Sequence, residues 1–168
     1  DESHHPEHPV RIISKISRAA GPEGMVSGQM MDMNALLNTE GRTLDYLKSM
    51  HAMKTGKMIA ASVETGAVAA GADDGAVVRL AAYAENIGMA FQVADDILNV
   101  EGDPAVMGKA AGSDAAADKM TFPSILGLES SRNFAFDLVA KAVDALASFG
   151  GRADALREIA TYIIERDR

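Results

Sequence analysis

The chain has no cysteine and no tryptophan, and only 5% of its residues are aromatic. Without cysteine it can form no disulfide, carry no thiolate nucleophile and build no cysteine zinc site, a pattern that fits a reducing cytoplasm. Strand-favouring runs of Val, Ile, Thr and Tyr are scarce, which argues for an all-α fold. No window approaches the roughly 18 consecutive apolar residues of a membrane span. Positive charge is also short: 16 Lys and Arg face 24 Asp and Glu, a net charge of −8. That balance argues against a nucleic-acid partner, because neutralising phosphates needs a basic face.

What is present suits one globular helical domain spanning 1–168 with a substantial core, since apolar residues make up 48% of the 168. The opening "DESHHPEHPV" has no signal-peptide pattern. Residues 1–8 read as a loop. His4, His5 and His8 could bind a metal; the alternative is a solvated loop.

Helix punctuation is clear along the chain. A segment from about Pro9 to Ala20 ends at Gly21, and Pro22 opens the next. "LNTEGR" (37–42) reads as a loop, after which Thr43 can N-cap a helix from Leu44 to Ala70, loosened at Gly56 and Gly66. The turn "GADDG" offers Asp73 or Asp74 as the cap of a long helix running to Asn99 or Val100. The stretch from Glu101 to Lys119 is the least periodic and is expected to be a long functional loop. Helix resumes near Thr121 with Pro123 in its first turn, and continues as 130–148 and 152–166 around Gly150-Gly151.

The long helix contains "FQVADDILN" (91–99), two adjacent acids in an apolar setting. At about 100° per residue, Leu80, Ala84, Ile87, Phe91, Ala94 and Leu98 share one stripe. Glu85, Gly88, Gln92, Asp95, Asp96 and Asn99 gather on an adjoining stripe of oxygens around one bare glycine. That set suits a hard cation such as Mg²⁺, held by carboxylates, waters and substrate phosphates. The alternative is an ordinary solvated face. "HAMKTGKMI" (51–59) places Lys54 and Thr55 beside Gly56 inside an apolar helix, which costs about 1 kcal/mol at the glycine. A point charge, a hydroxyl and a site of close approach are phosphate-binding groups; a solvated lysine is the alternative. Gln29 and Asp32 lie at i and i+3 on one helix face. Lys109 and Lys119 flank the long loop.

Taken in order, "GMVSGQMMDM", "HAMKTGKMI", "GMAFQVADDILN" and "GDPAVMGKAAGSD…DK" resemble the trans-polyprenyl diphosphate synthases, of farnesyl and geranylgeranyl diphosphate synthase type, over nearly the whole chain. "TYIIERDR" is similar to that family's C-terminal helix. The resemblance implies an orthogonal helical bundle of the isoprenoid synthase type, a homodimer, and Mg²⁺ (or Mn²⁺) as cofactor. It also implies head-to-tail condensation of isopentenyl diphosphate with an allylic diphosphate.

Carried over by position, the family's second aspartate-rich motif falls on Asp95, Asp96 and Asn99, with Asp95 as direct metal ligand and Asp96 acting through metal-bound water. Gln92 matches the glutamine before that motif. Lys54 and Thr55 match the pair at the allylic leaving group, and Lys54, Lys109 and Lys119 the lysines that bind its diphosphate. Gln29, Asp32 and Gly88 match cavity positions, Gly88 either letting helices approach or leaving room for the prenyl tail.

Two features depart from the family pattern. The first aspartate-rich motif, of D-D-x-x-D type, and its following arginines are not among these residues, so the chain reads as the C-terminal part of a synthase lacking its N-terminal helices. These 168 residues alone are therefore not expected to catalyse the reaction. Asn99 stands where the second motif ends in an acid, so it can accept a hydrogen bond but brings no charge.

Overall fold

The computed structural model describes residues 7–38, 41–101 and 119–166, and these form helices joined by turns, with no strand among them. The order is α1 (Glu7–Ala20), α2 (Met25–Leu37), α3 (Leu44–His51), a π-helical turn (Ala52–Gly56), α4 (Lys57–Ala69), α5 (Asp74–Glu101), α6 (Phe122–Leu126), α7 (Leu128–Ala145), a 3₁₀ segment (Ala147–Ala153) and α8 (Asp154–Glu165). Glu7 and His8 belong to α1, so the loop expected over 1–8 does not reach residue 8.

Local chemistry explains most boundaries. The Thr43 hydroxyl accepts the N–H of Tyr46 at the start of α3, and Asp73 Oδ1 accepts the N–H of Ala76 at 2.7 Å at the start of α5. Thr121 and Ser124 cap α6 reciprocally, with Pro123 in the first turn. The expected helix from Leu44 to Ala70, loosened at Gly56, keeps helical backbone through Ala69, and its loosening takes the form of a π turn over Ala52–Gly56.

Helix α5 is the axis of the fold. Its buried residues include Tyr83, Ala84, Ile87, Gly88, Ala90, Val93, Ala94, Asp96 and Asn99, which encircle the helix rather than line one stripe. The single-stripe expectation is therefore corrected: α5 is covered by the π turn, α4, α6, α7 and α8. Main-core residues from these neighbours include Ala60, Phe122, Leu138 and Ile163. Tyr83 anchors α8 by donating its hydroxyl to the carbonyl of Leu156 at 2.7 Å, and burial pushes its pKa up to about 12. A smaller cluster of Ala67, Val68 and Val77 packs under Ile12 of α1. Val10 and Ile13 on α1, and Met30 and Met33 on α2, are exposed.

Candidate active site

The π turn presents Lys54 and Thr55, both half-buried. A π turn adds a residue to the helical ladder and so re-aims the side chains it carries; such turns concentrate at functional sites. Here two helices crowd against it. A Cβ on Gly28 of α2 would come within 2.1 Å of the Lys54 backbone nitrogen, so only glycine admits this crossing. A Cβ on Gly88 of α5 would meet Gly56 Cα at 3.2 Å, so Gly88 serves the close approach of α5 to the π turn. With α2 so close, Lys54 donates to Asp32 Oδ2 at 2.6 Å. Gln29, one turn earlier on α2, is exposed.

The two acids of α5 part company. Asp95 is half-exposed, with Arg166 Nη2 3.7 Å from its Oδ1. Asp96 is buried at 6% exposure, and its Oδ2 accepts the backbone N–H of Phe122 at 2.9 Å. Asn99 is buried at 2% exposure. The expected shared stripe of metal oxygens is thus split: Asp95 faces outward, while Asp96 and Asn99 lie inside the packing. Lys119 is exposed just ahead of the α6 cap. Lys109, His4 and His5 lie outside the described residues.

At the junction sits His51, which the sequence reading did not single out. Its ring is buried, stacks on Phe122 with centroids 5.6 Å apart, and places Nε2 3.9 Å from Asp96 Oδ2. Burial is the main force on the imidazole and lowers its pKa to about 4, so the ring is neutral near pH 7. Gln92, Lys54, Asp32 and Asp95 all act on it, Lys54 alone with burial and the others against it. The Gln92 side chain lies beside the ring, yet neither ring nitrogen completes a hydrogen bond of good geometry. The ring thus lies against Asp96 and Phe122 and feels the charges of Lys54, Asp32 and Asp95.

The donor set limits which metal fits. Among the described residues no three His, Asp or Glu side chains come together as a cage. One half-exposed carboxylate, Asp95, fits Mg²⁺, which is held through one or two carboxylates with phosphate oxygens and water completing the shell. It does not fit a cation that needs a protein-only cage.

Sequence signals for Gly28, His51 and Arg166 were weak. A glycine within α2 hints at a crossing but not at its partner, and a single histidine or C-terminal arginine carries no pattern at all.

Comparison with known proteins adds a family. Residues 3–148 match the family model described as Polyprenyl synthetase. The chain is 43% identical over 166 residues to the farnesyl diphosphate synthase of Escherichia coli (strain K12), covering 95% of this chain and 54% of that protein. Among solved structures, an FPP/GFPP synthase from Zymomonas mobilis superposes with a TM-score of 0.81 at 38% identity, over 95% of this chain and 52% of that one. A geranyltransferase from Helicobacter pylori, complexed with magnesium and isoprenyl diphosphate, superposes with a TM-score of 0.79 at 31% identity, over 96% of this chain and 52% of that one. The chain spans about half the length of the curated relatives it matches.

Proposed function

The chain belongs to the polyprenyl synthetase family, and from that premise we propose that it carries the allylic-diphosphate side of a prenyltransfer site. The proposed reaction is condensation of isopentenyl diphosphate with dimethylallyl, geranyl or farnesyl diphosphate, in a cytoplasmic homodimer. The observation that carries this reading is the π turn itself, which holds Lys54 and Thr55 half-buried where α2 and α5 cross at Gly28 and Gly88, with Lys54 2.6 Å from Asp32.

In the proposed chemistry the allylic C–O bond breaks and its electron pair leaves with the diphosphate. Lys54, steadied by Asp32, faces that departing charge, which is electrostatic stabilisation aimed at charge developing in the transition state. Thr55 offers a hydroxyl to the same group. Asp95 would hold Mg²⁺, which supplies further neutralisation of the leaving diphosphate. The isopentenyl double bond attacks the allylic carbon, and a proton passes to the released diphosphate. Asp96 is assigned a positioning part: it pins Phe122, and with it the start of α6, against α5. Lys109 and Lys119 are proposed diphosphate ligands from the intervening segment.

Mg²⁺ with inorganic diphosphate or a bisphosphonate should raise the melting temperature of this protein, and Lys54→Gln or Asp95→Ala should abolish the shift. Linkage gives about 2.7 kcal/mol of stabilisation at a hundred times Kd. Absence of any shift with either ligand sinks the site reading. Turnover of isopentenyl and allylic diphosphates tests the reaction itself. Binding without turnover is the outcome expected of these 168 residues alone, and it fits both an inactive fragment and a second reading, a non-catalytic subunit of a heteromeric synthase.

A further inference from the structure

We infer that Arg166 is a resident counter-cation of the candidate metal site, which a metal ion must displace from Asp95. The inference rests on the reading of Asp95 as a metal ligand and adds a residue that sets that ligand's affinity.

Arg166 caps the C-terminal end of α8, its backbone N–H bonded to the carbonyl of Tyr162. Its side chain folds back onto α5 and is only 13% exposed. The guanidinium lies 4.3 Å from the centroid of the Phe91 ring, and Nη2 lies 3.7 Å from Asp95 Oδ1. Phe91 and Asp95 stand four residues apart on one helix, so a single planar cation reaches both.

The contact is poised rather than locked. Nε and Nη2 are buried without a hydrogen-bond partner, and 3.7 Å is an ion pair too long to be a hydrogen bond. Charge and ring stacking hold the guanidinium, and both are weaker than a bidentate carboxylate fork. A Mg²⁺ ion on Asp95 would sit about 2.1 Å from its oxygen, which puts a divalent charge close against the guanidinium. Two cations that close on one carboxylate repel, so metal entry and the Arg166–Asp95 pair compete.

The test titrates Mg²⁺ in the presence of inorganic diphosphate, followed by calorimetry and by the Arg166 Nε–Hε resonance. In the wild type that resonance should be shifted by the Phe91 ring and should move as Mg²⁺ is added. Asp95→Asn should move it the same way without metal. Arg166→Gln should bind Mg²⁺ about three- to five-fold tighter, the size of a partly exposed ion pair. Arg166→Lys keeps the charge and should bind as the wild type does. If the wild type binds Mg²⁺ but Arg166→Gln leaves the affinity unchanged, or Arg166→Lys tightens binding equally, the competition is overturned while Asp95 remains a ligand. If no variant binds Mg²⁺ even with inorganic diphosphate present to complete the shell, the metal role of Asp95 falls and this inference falls with it.

Discussion

Asp96 Oδ2 accepts the amide N–H of Phe122 at 2.9 Å, so a carboxylate of α5 fastens the chain where helix resumes 26 residues later. Its neighbour Asp95 is half-exposed and faces Arg166. The two acids should therefore answer mutation oppositely. Asp96→Ala leaves a buried N–H without its acceptor and should cost about 2–3 kcal/mol in urea unfolding. Asp95→Ala should cost about 0.5 kcal/mol or less yet remove Mg²⁺-dependent stabilisation. Equal losses of stability in the two variants would contradict the split.

The α2 crossing makes a second contrast. Gly28→Ala would drive a methyl into the Lys54 backbone, whereas a Cβ on exposed Gly66 of α4 meets nothing within 4 Å. Overpacking against a backbone that cannot yield should cost about 2–3 kcal/mol and should pull Lys54 off Asp32. Gly66→Ala should stabilise by about 0.5–1 kcal/mol, because alanine loses less chain entropy in a helix. Calorimetric melting resolves both, since about 1 kcal/mol moves Tm by roughly 2–4 °C at this size.

These contrasts mark where sequence reading succeeds. Thr43 and Asp73 cap helices as their local chemistry predicts, because a cap needs only the residues within one turn of it. The convergence of Lys54 and Asp32 was legible only as two separate oddities, a mid-helix Lys-Thr-Gly and an i, i+3 polar pair. What joins them is Gly28, whose value lies in a neighbour 26 positions away. Periodicity puts the α5 oxygens on one stripe but does not say which of them a neighbouring helix covers. A central helix is covered all round, and its polar residues then answer inward partners such as the Phe122 amide.

The buried imidazole gives a pH prediction. His51 has a folded pKa of about 4 against 6.5 for the free side chain. Between those values the unfolded chain binds more protons, so stability rises with pH across the window and is lost as pH falls below about 6.5. The full loss, reached below pH 4, is about 3 kcal/mol. His51→Phe retains a ring to stack on Phe122 and has nothing to titrate. Its urea midpoint should fall less than that of the wild type between pH 7 and pH 4.5. Parallel pH curves for the two proteins would remove His51 as the cause.

Asn99 gives the sharpest reversal. As a motif position it invites Asn99→Asp, which restores an acid and would be expected to tighten metal binding. As a position 2% exposed on the central helix, it is where a new carboxylate must either shed water or stay protonated. Desolvation disfavours the charged form, so Asn99→Asp should carry a raised carboxyl pKa and should destabilise by about 1–3 kcal/mol at pH 7. That penalty should shrink as pH falls toward 5, because protonation restores a neutral group that can both donate and accept a hydrogen bond. Mg²⁺ separates the two readings. If an acid here reaches the metal, saturating Mg²⁺ and diphosphate should recover the lost stability by linkage. If the side chain points into the packing, as its burial indicates, the ligand should stabilise variant and wild type equally and leave the deficit intact. Urea unfolding of both proteins at pH 7 and pH 5, with and without ligand, decides between them.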